Sequence, residues 1–382
     1  MQVDNLLFRG LRKFNKLKLS EAAIDICTAS ALSQFESGKI NLTSRIKQKL
    51  LEKYGVKLIP HEADIGYLKR QVTTFSQSLE KFYYPASGRI YDFLLKRIGS
   101  LYYDVNLLID SFNVMITYEL LQIVDLTLAQ KRIVMLKGLE HQMTSIQLQK
   151  FYFNLGIVDL MINRNVDQLV VNFSKCFENM EHGRNSFIIF WYAYSMKYFG
   201  RKIMAVKYYL EAETMFKLEN NTLGVENVLL ELAEVFLIVN EIGQAKYYLD
   251  SYNDRRMTTR KALISNDCLF NLIRGELEFR DRKLKKALTY FENAQKHISS
   301  SLVDQDLGDY VITSLMKIYK EVDESKYREI VEYLKNELDL LEVKYSTAFL
   351  LDNEFEISSY SDYVCKVVNT NKYEINKSIN KF

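Results

Sequence analysis

Three times along this chain a small residue is followed twelve positions later by an alanine and, four further on, by a large apolar side chain. The triplets are Ala193, Ala205 and Tyr209; Ala233, Ala245 and Leu249; and Gly275, Ala287 and Phe291. In two of the three another alanine closes the pattern, at Ala212 and Ala294. The spacing predicts paired helices at close range: small residues let two backbones approach, and the bulky residue fills the remaining gap. Breakers are scarce, with two prolines and 14 glycines in 382 residues, and 48% of the chain is hydrophobic. An almost wholly helical protein with a large core follows, and strands should be few.

This spacing resembles the tetratricopeptide repeat. The second-helix alanines recur at 40 and 42 residues rather than the usual length of about 34, so the repeats are degenerate. Weaker copies fall at Gln149 to Met180 and Gly308 to Leu334, with less regular helical pairs between Gly66 and Leu148. The competing fold is an irregular helical bundle without solenoid curvature. In a solenoid the first helix of each pair lines a concave face, which suits an extended peptide whose backbone amides need partners once desolvated. Counted from the small residue of each first helix, the inward positions include Asn154, Phe190, Tyr194, Lys197, Asn227, Leu230, Glu234, Glu276 and Phe279. Asn154 and Asn227 stand out, because one carboxamide can both donate to and accept from a peptide unit. An ordinary interhelix hydrogen bond competes for each of them, and the run Phe190, Trp191, Tyr192, Tyr194, Tyr198 also reads as core.

The first sixty residues differ from the rest. They hold eleven Lys/Arg against five acids, whereas the remainder has 40 basic and 43 acidic residues. A basic head favours a polyanion, since Lys and Arg displace counterions condensed on phosphates; a solvated helical surface is the alternative. Leu6, Leu7, Leu11 and Phe14 are spaced for a first helix over about Asp4 to Asn15, with Arg9, Arg12 and Lys13 on its other face. A second helix is expected over Ser20 to Ile26. A third begins near Ser30, whose hydroxyl can cap it, and ends at Gly38, which can take a left-handed C′ conformation. Asn41 or Thr43 caps a fourth, Ser44 to Tyr54, with Ile46, Leu50 and Leu51 as its apolar stripe.

The spacing of Leu17, Ile26, Ser30, Leu32, Ser33, Glu36 and Gly38 resembles the XRE, or Cro/C1-type, helix-turn-helix over Leu6 to Val56. The resemblance implies that Leu32 and Phe35 face the core. Thr28, Ser30, Ala31, Ser33 and Gln34 then lie on or beside the groove-facing surface. Gln34 is the candidate for base readout, since its carboxamide can pair with adenine N6 and N7. Arg12, Lys13, Lys39 and Asn41 are the candidates for phosphate contacts. The second helix departs from the family pattern: Lys18 and Leu19 replace the usual Thr-Gln opening and Ala22 the usual leucine, which predicts a weaker cap and a smaller core residue.

Other classes find little support. Cys27, Cys176, Cys268 and Cys365 are widely separated, which suggests reduced thiols and neither a zinc site nor a disulfide framework. His61, His141, His182 and His297 have no metal-ligand spacing, and no phosphate-binding glycine loop or nucleophile elbow occurs. No cofactor, no metal and no catalytic residue is expected, and the chain does not read as an enzyme. No apolar run approaches 18 residues, so a cytoplasmic protein with no membrane contact is expected.

A helix-turn-helix head on degenerate tetratricopeptide pairs resembles the RRNPP group of Gram-positive peptide-pheromone regulators, with its Rgg, PlcR and PrgX branches. The resemblance implies an all-α protein. Residues 1–60 form the N-terminal helix-turn-helix domain, 61–350 a right-handed superhelical array of tetratricopeptide-like helix pairs for sensing and dimerisation, and 351–382 a C-terminal cap or tail. It implies a double-stranded DNA operator, a short linear oligopeptide on the concave face, and a homodimer. Asn154, Tyr194, Lys197, Asn227, Glu234, Arg274, Glu276 and Phe279 are the candidate peptide contacts, with Lys197 or Arg274 neutralising a peptide carboxylate. The alternative is a Rap-like module whose repeats sequester a protein partner until a peptide releases it. That branch lacks the Ser-x-x-Glu-x-Gly closure found at Ser33 to Gly38. The Lys- and Asn-rich end from Ser358 to Phe382 has few large aliphatics, which favours partial disorder.

Overall fold

A computed structural model of the chain describes residues 3–55, 65–97, 104–122, 126–179, 184–258, 264–296, 302–329 and 332. The Pro60 joint, the 351–382 cap or tail, Cys365, His61, His182, His297 and the end of the copy expected at Gly308 to Leu334 lie outside those residues. Among the described residues the protein is all-helical, with no strand. Two compact units are present, Met1–Asn185 and Ser186–Phe382.

The first unit opens with α1 (Val3–Phe14), α2 (Leu19–Ala23), α3 (Ala29–Glu36) and α4 (Ser44–Lys53). Three helix pairs follow: α5 (Ile65–Glu80) with α6 (Tyr84–Lys96), α7 (Val105–Leu121) with α8 (Leu126–Lys137), and α9 (Ser145–Val158) with α10 (Val166–Glu178). The second unit holds α11 (Ser186–Tyr198) with α12 (Lys202–Leu218), α13 (Thr222–Ile238) with α14 (Ile242–Thr258), α15 (Ile264–Arg280) with α16 (Leu284–Lys296), and then α17 (Leu302–Val322). In each unit the partners of a pair pack together, and successive first helices also touch: α5, α7 and α9 in one row, α11, α13, α15 and α17 in another. That second set of contacts makes these helical repeats rather than an irregular bundle.

The small-residue pattern lies at the pair interfaces. Ala193, Ala205, Tyr209 and Ala212 are wholly buried, as are Ala233, Ala245 and Leu249, and Ala287 and Ala294. Gly275 takes the place of the first-helix alanine in its pair: a Cβ there would lie 2.7 Å from Phe291 Cε1, so only glycine admits the ring. The stretch expected to be irregular keeps the same register. Phe75, Ser87, Tyr91 and Leu94, and likewise Thr117, Ala129, Ile133 and Leu136, repeat the spacing and are buried. In the α9–α10 pair the register is Gly156, Leu169, Phe173 and Cys176, one residue longer. A π-helical turn, Asp159–Asn163, takes up that extra residue. Its Asp159 carboxylate is buried and accepts from Asn163 Nδ2 at 2.7 Å and Asn172 Nδ2 at 2.6 Å.

The head follows its predicted plan with shifted boundaries. Phe8, Leu11, Ala22, Leu32, Phe35, Leu50, Leu51 and Tyr54 form its core. The cap of α3 is Thr28, not Ser30: Thr28 has extended backbone and its Oγ1 accepts from Ala31 N–H at 3.1 Å. Helix α2 ends at Ala23 rather than Ile26, because Asp25 takes a positive φ of 62°. Its expected weak cap is compensated at the third position, where Glu21 accepts the Lys18 N–H at 2.7 Å. Of the two candidates for α4, Thr43 is the cap. Gly38 has φ 74°, and Gly38 N–H and Lys39 N–H donate to Phe35 O and Gln34 O, closing α3 as predicted.

Candidate functional site

Two surfaces carry the residues singled out in the sequence. On the head, α3 is divided by its own periodicity. Leu32, Phe35 and Glu36 turn inward, whereas Ser30, Ser33 and Gln34 are exposed and Ala31 is half-buried between them. Thr28, Lys13, Lys39 and Asn41 are also exposed. Arg12 differs, because all three guanidinium nitrogens have protein partners. Nε and Nη2 donate to Glu36 Oε1 and Oε2 at 2.6 and 2.7 Å, and Nη1 donates to Leu17 O at 2.8 Å. The hydrogen bond to Glu36 holds the Arg12 guanidinium above its ordinary pKa. Arg12 therefore ties α1 to the end of α3 and sets how the exposed face of α3 is presented.

The second surface is the row of first helices. Within each unit these helices are joined by buried polar side chains separated by about one repeat along the sequence. In the first unit, Asn154 on α9 accepts from Thr117 Oγ1 on α7 at 2.7 Å and donates to Asn113 O at 2.9 Å. Asn113 Nδ2 donates to Gln147 O at 3.2 Å, and Gln147 Nε2 to Asp110 Oδ1 at 3.0 Å. Burial raises the Asp110 carboxyl, with Gln147 opposing the shift.

In the second unit, Lys197 on α11 is buried between Glu231 and Glu234 of α13. Glu231 Oε2 also accepts from Tyr209 Oη at 2.8 Å, and the Tyr194 ring lies 4.8 Å from Lys197 Nζ. Burial opposes the charged ammonium, but the two carboxylates outweigh it and hold Lys197 above the ordinary lysine range. Asn227 accepts from Asn266 Nδ2 at 2.8 Å, and Glu276 from Ser314 Oγ at 3.4 Å.

The predicted peptide contacts thus fall into separate groups. Tyr194, Lys197 and Glu234 come together across α11 and α13, and Asn227 and Glu276 continue along the same row. Asn154 belongs to the first unit. Arg274 reaches Asp250 on α14 at 3.2 Å, a second helix, and Phe279 packs into the core around Ala287 and Phe291. Glu231, Thr117 and Gln147 were missed. Their signal is a separation of one repeat between polar partners: 37 residues for Thr117 to Asn154 and for Lys197 to Glu234, 39 for Asn227 to Asn266.

Among the described residues no group of His, Cys, Asp or Glu could hold a metal ion, and no helix is long and apolar enough to cross a membrane. Cys27 is half-buried, and Cys176 and Cys268 are buried.

No protein-family model and no curated protein matches the chain. Its fold does match solved structures. A Rap protein complexed with competence and sporulation factor is 13% identical with a TM-score of 0.62, over 79% of this chain and 86% of that one. NprR in complex with its cognate peptide NprX is 13% identical with a TM-score of 0.58, over 84% and 86%. The apo form of the quorum sensor NprR from B. thuringiensis is 14% identical with a TM-score of 0.57, over 78% and 84%. At identities this low the likeness shows a shared helical-repeat fold alone.

Proposed function

We propose that this chain is a peptide-responsive transcriptional regulator of the RRNPP type. A DNA-reading head over residues 1–60 is governed by a repeat array that binds a short linear peptide, in a cytoplasmic homodimer. The observation that carries the DNA half is the division of α3, a capped, glycine-terminated helix whose outward face is polar and uncovered while Leu32 and Phe35 anchor it. Gln34 then reads adenine in the major groove, with Thr28, Ser30, Ala31 and Ser33 beside it and Lys13, Lys39 and Asn41 on phosphates. Arg12 serves this surface through Glu36.

The peptide half is supported by the likeness in fold to NprR solved with its cognate peptide and to Rap solved with competence and sporulation factor. The polar row of α11, α13 and α15, with Tyr194, Lys197, Asn227, Glu234 and Glu276, is the surface assigned to the peptide, and Asn154 its counterpart in the first unit. The peptide alters DNA binding only if it favours one arrangement of the array over another.

The test is fluorescence anisotropy of labelled genomic fragments with the full chain, with and without candidate short peptides. Sequence-selective binding that weakens steeply with salt and is modulated by one peptide is expected. The Rap-like reading is favoured by the fold likeness to Rap; it gains if the chain retains a protein partner in a peptide-sensitive way and ignores DNA even at low salt.

A further inference from the structure

The head is seated on the repeats. α1 packs against α8, the second helix of the second pair, and both belong to the compact unit Met1–Asn185. In this position Arg9, Lys13, Ser30, Ser33 and Gln34 all stay exposed, so the seat leaves the outward face of α3 uncovered.

α8 is itself fixed by a buried charge. Arg132 on α8 pairs with Glu119 on α7, and the same Glu119 Oε1 accepts from Tyr91 Oη on α6 at 2.7 Å. Both charged side chains are almost fully excluded from solvent, and the Arg132 guanidinium also lies 5.4 Å from the Phe112 ring centre. A charge pair this deep tolerates little displacement, because either partner alone would be an uncompensated buried ion. α7 is joined in turn to α9 by the Thr117 and Asn113 bonds to Asn154. Buried polar contacts therefore run from α9 through α7 to α8, and α8 carries the head.

We infer that α8 is the seat through which the repeat array sets the orientation of the head, and that the Glu119–Arg132 link holds this seat in place. A change at the α7–α9 seam then turns the head with α8, since close-packed interfaces shift between discrete arrangements rather than yield continuously. The inference deepens the DNA-binding reading by giving its regulation, but the seat itself does not depend on that reading.

The test is a distance measurement on the full chain. Nitroxides are placed at Lys13→Cys and Lys137→Cys, two exposed positions on α1 and α8, in a background carrying Cys27→Ser and Cys365→Ser. With the labelled chain diluted into an excess of unlabelled chain, double electron–electron resonance should give one narrow distance distribution; a broad one, as from a tethered head, overturns the seat. Glu119→Gln, and separately the apolar pair Glu119→Leu with Arg132→Leu, should broaden the distribution. Both should speed α1 amide exchange by roughly tenfold or more, the response to losing about 1.4 kcal/mol of local stability. Unaltered exchange in α10, which lies in the same unit, shows that its repeats survive. An unchanged distribution and unchanged α1 exchange in both variants overturn the role of the link. DNA binding is scored separately on the unlabelled chain with Lys13 in place: a narrow distribution in the labelled protein together with no DNA binding by the unlabelled one removes the DNA reading and leaves the seat standing.

Discussion

Arg12 and Glu36 are joined end to end across the head, two guanidinium N–H groups meeting the two carboxylate oxygens at 2.6 and 2.7 Å. Their side chains keep only 12% and 6% of their exposure, so the pair lies largely out of water. Arg12→Met leaves the Glu36 carboxylate without its partner. The expected loss is about 3 kcal/mol of head stability, the lower end for a broken buried pair because some solvent remains. Circular dichroism melting of the variant checks this. If Arg12 acted only on phosphate, the melting temperature would hold and the salt slope of DNA binding would fall by about one.

Gly275→Ala reverses the usual sign of a helical substitution. Propensity alone favours alanine by about 1 kcal/mol, but here the new methyl would lie 2.7 Å from Phe291 Cε1. Overpacking should win, with a loss of about 1–3 kcal/mol. Phe291→Leu in the same chain should recover part of it, and urea unfolding of the double-mutant cycle measures the coupling.

Asn154→Ala removes a buried carboxamide that joins α7 to α9. It should cost about 1 kcal/mol, since the α7–α9 bonds are lost while Thr117 Oγ1 keeps Asn113 O as an acceptor at 2.9 Å. Calorimetric titration with a cognate peptide separates the two roles of this residue. Weaker peptide binding at unchanged stability would mean that the carboxamide serves the ligand more than the seam.

Asp104 gives a pH dependence with a definite sign. Its carboxylate caps α7, accepting from Leu107 N–H at 3.1 Å, and pairs with Lys69 at 2.7 Å. Burial works against the charge, but these partners outweigh it and set the folded pKa below the ordinary aspartate value. The stability it adds is complete above the unfolded pKa of about 4 and is lost as pH falls through the lower folded value. Asp104→Asn keeps a capping oxygen but not the charge. Its stability should therefore decline less steeply between about pH 5 and pH 2 in urea titrations.

Lys197→Met tests the second polar cluster. With the ammonium gone, Glu231 and Glu234 lose the buried cation they share. The variant should lose about 3–5 kcal/mol, read as a lower melting temperature.

What the sequence determined by itself was local and periodic. Ala193, Ala205 and Tyr209 announce a close helix pair because the geometry of one pair interface depends on residues within a single repeat, and Gly38 announces the end of α3 because only its neighbours set its φ. The same pattern was harder to see at Phe75 and Ser87 or at Thr117 and Ala129, where a larger residue takes the first small position. The extra residue before Leu169 became intelligible only through the π-helical turn at Asp159. Tertiary structure alone decided which polar side chains meet. Arg12 reads as a surface cation until α3 brings Glu36 beside it, and the two carboxylates that flank Lys197 are known only once α13 is stacked beside α11. The seating of α1 on α8 likewise joins segments more than a hundred residues apart. Such pairings depend on how whole helices are stacked, and burial then fixes them, because a desolvated charge must find its partner wherever the fold has placed one.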